Sequence, residues 1–171
     1  MKTFIFSCLL LLLFQVDAQN YVYKGSQQYE ATNTWNFELT KYDWLNEGFQ
    51  VCVAKTKTGG YMMLAIAVPF NESITGSVFI ILDSGKTVTL TTRITNDHVD
   101  SQSQVLYLLT KSQIETLKES NINKIRFTLK GTGMGGMNGS YTANNTDKTF
   151  NQFNIYDETA NDVTELFKVS E

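Results

Sequence analysis

Apolar and polar positions alternate with a period of two along most of residues 48–130. Phe49, Val51 and Val53 alternate with Gln50, Cys52 and Ala54, and Tyr61–Val68 is apolar on both faces, as a central strand requires. In Lys86–Ile94 the side chains of Val88, Leu90 and Ile94 face one way and those of Thr87, Thr89, Thr91 and Arg93 the other. Such a strand has one wet face, which antiparallel sheets permit. Thr58-Gly59-Gly60 separates the strands at 48–56 and 61–69. Asp83-Ser84-Gly85 predicts a tight hairpin in which Gly85 supplies a positive φ. Thr95–Ser103 is polar and predicts a connection to the apolar run Gln104–Leu108. Short successive strands joined by tight polar turns predict an all-β fold, an antiparallel sandwich or meander.

One short helix is predicted over about 110–120. Thr110-Lys111-Ser112-Gln113 has the form of a capping box, and Leu109 with Ile114 forms a hydrophobic staple across it. Ile114 and Leu117 supply a narrow apolar stripe, and Asn121 is placed to end the helix in a left-handed conformation. Alternation resumes in Lys124–Lys130. Residues 131–146 are glycine-dense and predict a loop or a strand pair broken by bulges, Phe150–Tyr156 a last strand, and Glu158–Phe167 a second short helix.

The N-terminus changes the picture. Lys2 is followed by an apolar run from Phe4 to Phe14, interrupted by Ser7 and Cys8, with Val16 and Ala18 at −3 and −1 before Gln19. This is the pattern of a cleaved secretory signal. An apolar helix of about 11 residues rises about 16 Å, too short to anchor across a hydrocarbon core of about 30 Å. The expected mature domain is therefore 19–171, one exported domain with no membrane span. Its formal charge stays at −3, because Lys2 and Asp17 leave together. No basic run exists, which argues against nucleic acid as a partner. Loss of Cys8 leaves Cys52 alone, so no intrachain disulfide is expected, and a buried small hydrophobe is its expected role.

Candidate chemistry is sparse. Gly131, Gly133 and Gly136 match G-x-G-x-x-G, but Met137-Asn138-Gly139-Ser140 cannot start the helix a dinucleotide site needs, so no cofactor is expected. His98 is the single histidine and lacks the ligands of a zinc site or a G-x-S-x-G nucleophile turn. Asn96, Asp97 and Asp100 could offer oxygens to calcium, yet EF-hand spacing is absent and no metal is expected. Asn71, Asn138 and Asn144 begin glycosylation sequons. Aromatic residues cluster in 35–44, and Trp35, Tyr42 and Trp44 are the candidate ligand-binding residues, because exposed rings stack on sugar faces or anchor a protein partner.

The run Val105–Thr110, Gln113-Ile114, Leu117–Ser120 and Ile122–Phe127, with the upstream Asp83-Ser84-Gly85-Lys86 turn, resembles small exported proteins of Bacteroidota of uncharacterised function. The resemblance covers about half the chain, implies a β-sandwich-like domain in the bacterial envelope or outside the cell, and carries no catalytic residue. The reading is a non-catalytic exported domain that acts through its surface, in binding or in envelope association, with an extracellular or envelope ligand, carbohydrate or protein, that the sequence does not identify. The alternative is an extracellular glycosidase-like hydrolase whose acid pair is not visible in sequence.

Overall fold

The computed structural model describes residues 20–40, 48–68, 72–99, 101–131, 138–146 and 157–168. The predicted signal segment, Tyr42 and Trp44, and the strand expected at 150–156 lie outside the described residues. Two strands, β1 (Asn20–Lys24) and β2 (Gln27–Ala31), form a hairpin, and β3 (Trp35–Leu39) follows. Next come β4 (Phe49–Lys55), β5 (Gly60–Ala67), β6 (Ser73–Leu82) and β7 (Thr87–Leu90). Then β8 (Arg93–Val99) and β9 (Gln102–Leu109) lead into α1 (Lys111–Glu119). The chain closes with β10 (Ile122–Lys130), β11 (Gly139–Asn144) and α2 (Thr159–Leu166).

Among the described residues all the pairings are antiparallel, in the order β7-β6-β10-β11-β3-β4-β5-β9-β8, with the β1–β2 hairpin attached to β4. The all-β fold with a short inserted helix is therefore as expected. Its sheet is one sheet that curls almost closed. Inward positions alternate along every long strand: Trp35, Phe37 and Leu39; Phe49, Val51 and Val53; Ile125, Phe127 and Leu129. Phe49 and Phe127 stack inside with ring centroids 4.4 Å apart, and Phe127 continues to Tyr141 at 5.8 Å. Ile114 and Leu117 of α1 and Val163 of α2 join the same core. The interior is thus filled with side chains, as small barrels require.

The ends of the sheet meet at a seam. The two edge strands, β7 and β8, are consecutive in the chain, and among the described residues β7 pairs only with Val78–Ile81 of β6. Across the first half of β6, side chains of β8 and β9 take the place of a backbone ladder. Tyr107 donates its hydroxyl to Gly76 O at 2.7 Å, Arg93 Nη1 donates to Ile74 O at 2.9 Å, and Asn96 Nδ2 donates to Ser73 Oγ at 3.2 Å. Tyr107 is fully buried, so its hydroxyl needs this acceptor.

Local signals mostly hold. Thr110 caps α1 with the full reciprocal box, and Leu109 and Ile114 are both buried beside it. Gly85 has φ +81° in the turn before β7. Gly59 and Gly60 are required by close approach, since a Cβ there would stand 2.6 Å from Leu109 O and 2.8 Å from Ala54 O. Three expectations are corrected. Lys86–Ile94 is not one strand: the chain leaves β7 at Thr91-Thr92 and changes pairing partner, so the polar stretch read as a connection becomes β8. A strand on the sheet edge needs no apolar face, which is why its pattern looked like a loop. Asn121 is not left-handed, because α1 ends in extended Ser120. Instead Asn121 Oδ1 accepts from Ala160 N at 2.9 Å, bonding the start of α2. Finally, part of the glycine-dense stretch is a regular strand, β11, paired with both β10 and β3.

The Tyr107→Phe variant should lose about 1 kcal/mol, the worth of one net hydrogen bond. That is a fall of roughly 2–4 °C in Tm for a chain of this size. Thermal melts followed by circular dichroism check it, and an unchanged Tm would mean the seam does not depend on this bond.

Candidate functional site

Trp35 does not offer a binding surface. It is 1% exposed on the inward face of β3, and its Nε1 donates to Asp162 Oδ2 at 2.8 Å, tying β3 to α2. The sequence carried the signal: Trp35, Phe37 and Leu39 alternate with polar Asn36 and Glu38, so the tryptophan shares its side with the core. Both other candidates, Tyr42 and Trp44, lie outside the described residues.

The exposed aromatic residues lie elsewhere. Tyr21 is 42% and Tyr23 64% exposed on β1, flanking buried Val22. The β1–β2 hairpin packs on the outer face of the sheet through Val22 and Ala31, which meet Cys52, Ala54 and Leu106, with Tyr29, Tyr61, Met63 and Ile94 around them. Between β1 and the β8–β9 edge runs an open groove of about 190 Å³. One wall is Tyr21–Tyr23, the other Thr95 and Asp97, and Met63, Gln104 and Leu106 line it between them. Its volume is below the roughly 300–1,000 Å³ of pockets that engulf a small molecule. Such a groove suits a group lying against the surface, with exposed tyrosines along its rim and a carboxylate, an amide and a hydroxyl to hydrogen-bond.

Register places the β8 residues. Asp97 pairs with Gln104 and lines the groove, whereas Asn96 pairs with Val105 and bonds across the seam to Ser73. Adjacent strand residues point to opposite faces, so Asn96 and Asp97 cannot converge on one cation. No group of three or more metal-ligating side chains occurs among the described residues. His98 is exposed on β8, opposite Ser103. Of the sequon asparagines, Asn138 is exposed and accepts from Gly131 N at 2.8 Å, and Asn144 is half-buried in β11.

Cys52 lies beneath the hairpin, free and buried. Burial pushes its thiol up from 9.0 to about 12, because the thiolate would lose its hydration. A thiol held protonated is a poor nucleophile. The expected role as a small buried hydrophobe therefore holds.

No family model matches this sequence, and no curated protein or solved structure is significantly similar to it.

Two outcomes follow from these burials. Trp35→Ala should destabilise the fold by about 3–5 kcal/mol, as large-to-small core substitutions of tryptophan do, which a urea melt measures. A stability close to wild type would return the ring to the surface. Cys52 makes stability depend on alkaline pH. The unfolded chain releases the thiol proton near 9.0 and the folded chain near 12, so the folded state holds more protons in that window. Stability contributed below about pH 9 is then lost on going to pH 12, at up to about 1.4 kcal/mol per unit. Urea melts at stepped pH should show a shallower decline in Cys52→Ala; parallel declines would sink the assignment.

Proposed function

We propose that this chain is an exported, non-catalytic binding domain that holds a carbohydrate in the groove between β1 and the β8–β9 edge. The observation that carries the reading is the pair of exposed tyrosines, Tyr21 and Tyr23, along the wall of a groove whose far side is polar. A sugar ring has an apolar face that stacks on an aromatic ring and a rim of hydroxyls that need donors and acceptors. Asp97, Gln104 and Thr95 supply those partners. The filled interior supports a surface site, because the core cluster draws its members from the sheet all the way around. Export is supported by the charged, apolar and small-residue segments of residues 1–18.

The hydrolase alternative needs two carboxylates about 5–10 Å apart across a bound sugar. Asp97 is the one carboxylate among the described residues that line the groove. The arrangement therefore favours holding a ligand over cleaving it.

A glycan array probed with purified Gln19–Glu171 tests the reading. Tyr23→Ala should weaken capture of a bound glycan about fivefold or more, as loss of an aromatic anchor does. Its stability should change by no more than about 0.5 kcal/mol, as expected for an exposed position. Undiminished capture by Tyr23→Ala would overturn the groove as the site. Turnover of a glycan that disappears in Asp97→Asn would replace binding with hydrolysis.

A further inference from the structure

Alternation along β10 does more than fill the core. Ile125, Phe127 and Leu129 point inward, which sends Lys124, Arg126 and Lys130 to the outer face, with Arg126 and Lys130 exposed. At about 3.3 Å per residue the three cations are spaced over about 20 Å of β10, whose pairing with β6 shifts register between Ile122 and Lys124 and again between Arg126 and Thr128. Register sets their neighbours. On one side Arg126 is opposite Phe79, which is 42% exposed, and Thr128 is opposite Thr75. On the other side Arg126 is opposite Thr142, Thr128 opposite Ser140 and Lys124 opposite Asn144. The four adjacent strands β7, β6, β10 and β11 contain no aspartate or glutamate at all. Among the described residues none of the three cations joins an ion pair. In a chain of net charge −3, this is a segregated cationic strip.

We propose that this strip is a second binding face, distinct from the tyrosine groove, and that its ligand is a linear acidic polysaccharide bearing uronate or sulfate groups. Charge complementarity requires an anion, and the linear spacing of the cations requires an extended one. Hydroxyl side chains on both flanks, Thr75 and Ser73 on one and Thr142 and Ser140 on the other, with the Asn144 amide beside Lys124, match the hydroxyl-rich rim of a sugar chain. Single-stranded nucleic acid fits less well, since it is held by successive stacking rings and, among the described residues, Phe79 is the one aromatic ring opposite the cations. An anionic bilayer fits less well because, among the described residues of this face, only Phe79 and half-buried Ile81, opposite Lys124, are apolar, too little apolar surface to enter the interfacial region.

Binding is measured by titration of the purified domain with alginate and with dextran sulfate, beside neutral dextran, oligo(dT) and phosphatidylglycerol vesicles. The expected result is capture of alginate or dextran sulfate, none of neutral dextran, and a slope of log K against log salt of roughly −2, the counterion release for three cations. The variant K124Q/R126Q/K130Q should bind on the order of tenfold more weakly or worse, with its melting temperature kept. Should that variant fold poorly, Arg126→Gln alone decides, with an expected loss of roughly 0.7 from the slope. Absence of capture at low salt, affinity unchanged in the neutralised variant, or tighter binding to oligo(dT) or to vesicles than to either polyanionic sugar would each overturn the proposal. Failure of the tyrosine groove to bind glycans would leave these readouts untouched, because Tyr21 and Tyr23 sit on another wall of the sheet.

Discussion

The structure depends on one geometric constraint: inward side chains from every part of the sheet must meet in one core, so the sheet has to curl until its edges face each other. Trp35 on β3, Ile80 on β6, Leu90 on β7 and Tyr107 on β9 belong to the same buried cluster, which a flat sheet could not assemble. The short β7 leaves half of β6 without a ladder partner on that side, and Tyr107, Arg93 and Asn96 bridge the remaining distance with side chains. A seam made this way satisfies buried polar groups one by one rather than through a continuous ladder. Both helices close onto the same core, and their placement is enforced by polar bonds. Asn145 is buried and donates Nδ2 to Ile122 O and Asp157 O while accepting from Asp157 N, and Ile122 N donates to Thr159 Oγ1.

A filled interior moves recognition to the outer walls, and the two walls differ in chemistry. On β4, β5 and β9 the outer face is apolar and is covered by the β1–β2 hairpin, which exposes tyrosines at its free edge. Few backbone bonds hold that hairpin: Ala31 pairs with Ala54, and Thr32 exchanges bonds with Val53 through N, O and Oγ1. Side-chain packing supplies the rest, which places the hairpin toward the low-stability end of the molecule. On β6, β10 and β11 the outer face carries Lys124, Arg126 and Lys130 among hydroxyl side chains. The same alternation that builds the core therefore sorts the surface into an aromatic wall and a basic one.

How much of this was legible varies with what each residue answers to. Thr110 and Gln113 need only each other, and their capping box reads directly from a four-residue spacing. Gly85 answers to its own φ. Asn121 answers to a distant partner: Ala160 lies 39 residues away and only the packed helix brings it near. β8 leaves no mark in the periodicity, because an edge strand on a seam carries polar residues on both faces, and periodicity detects burial, not pairing. Trp35 was assigned to the surface by residue type although Asn36 and Glu38 already marked its side of β3 as inward.

By itself the sequence determined the all-β class, the inserted helix, the turns at Gly59-Gly60 and Ser84-Gly85 and the burial of Cys52, because each follows from local period, turn chemistry or hydrophobicity. It also held Lys124, Arg126 and Lys130 on alternate positions, where they do not form a run. Only the tertiary structure decided that these cations share a face with no carboxylate on four strands, that Tyr21 and Tyr23 overlook Asp97, and that consecutive strands β7 and β8 end up on opposite edges of one sheet. Those are relations between segments far apart in the chain, and strand order and register, which set them, are fixed by how the core packs rather than by any local preference.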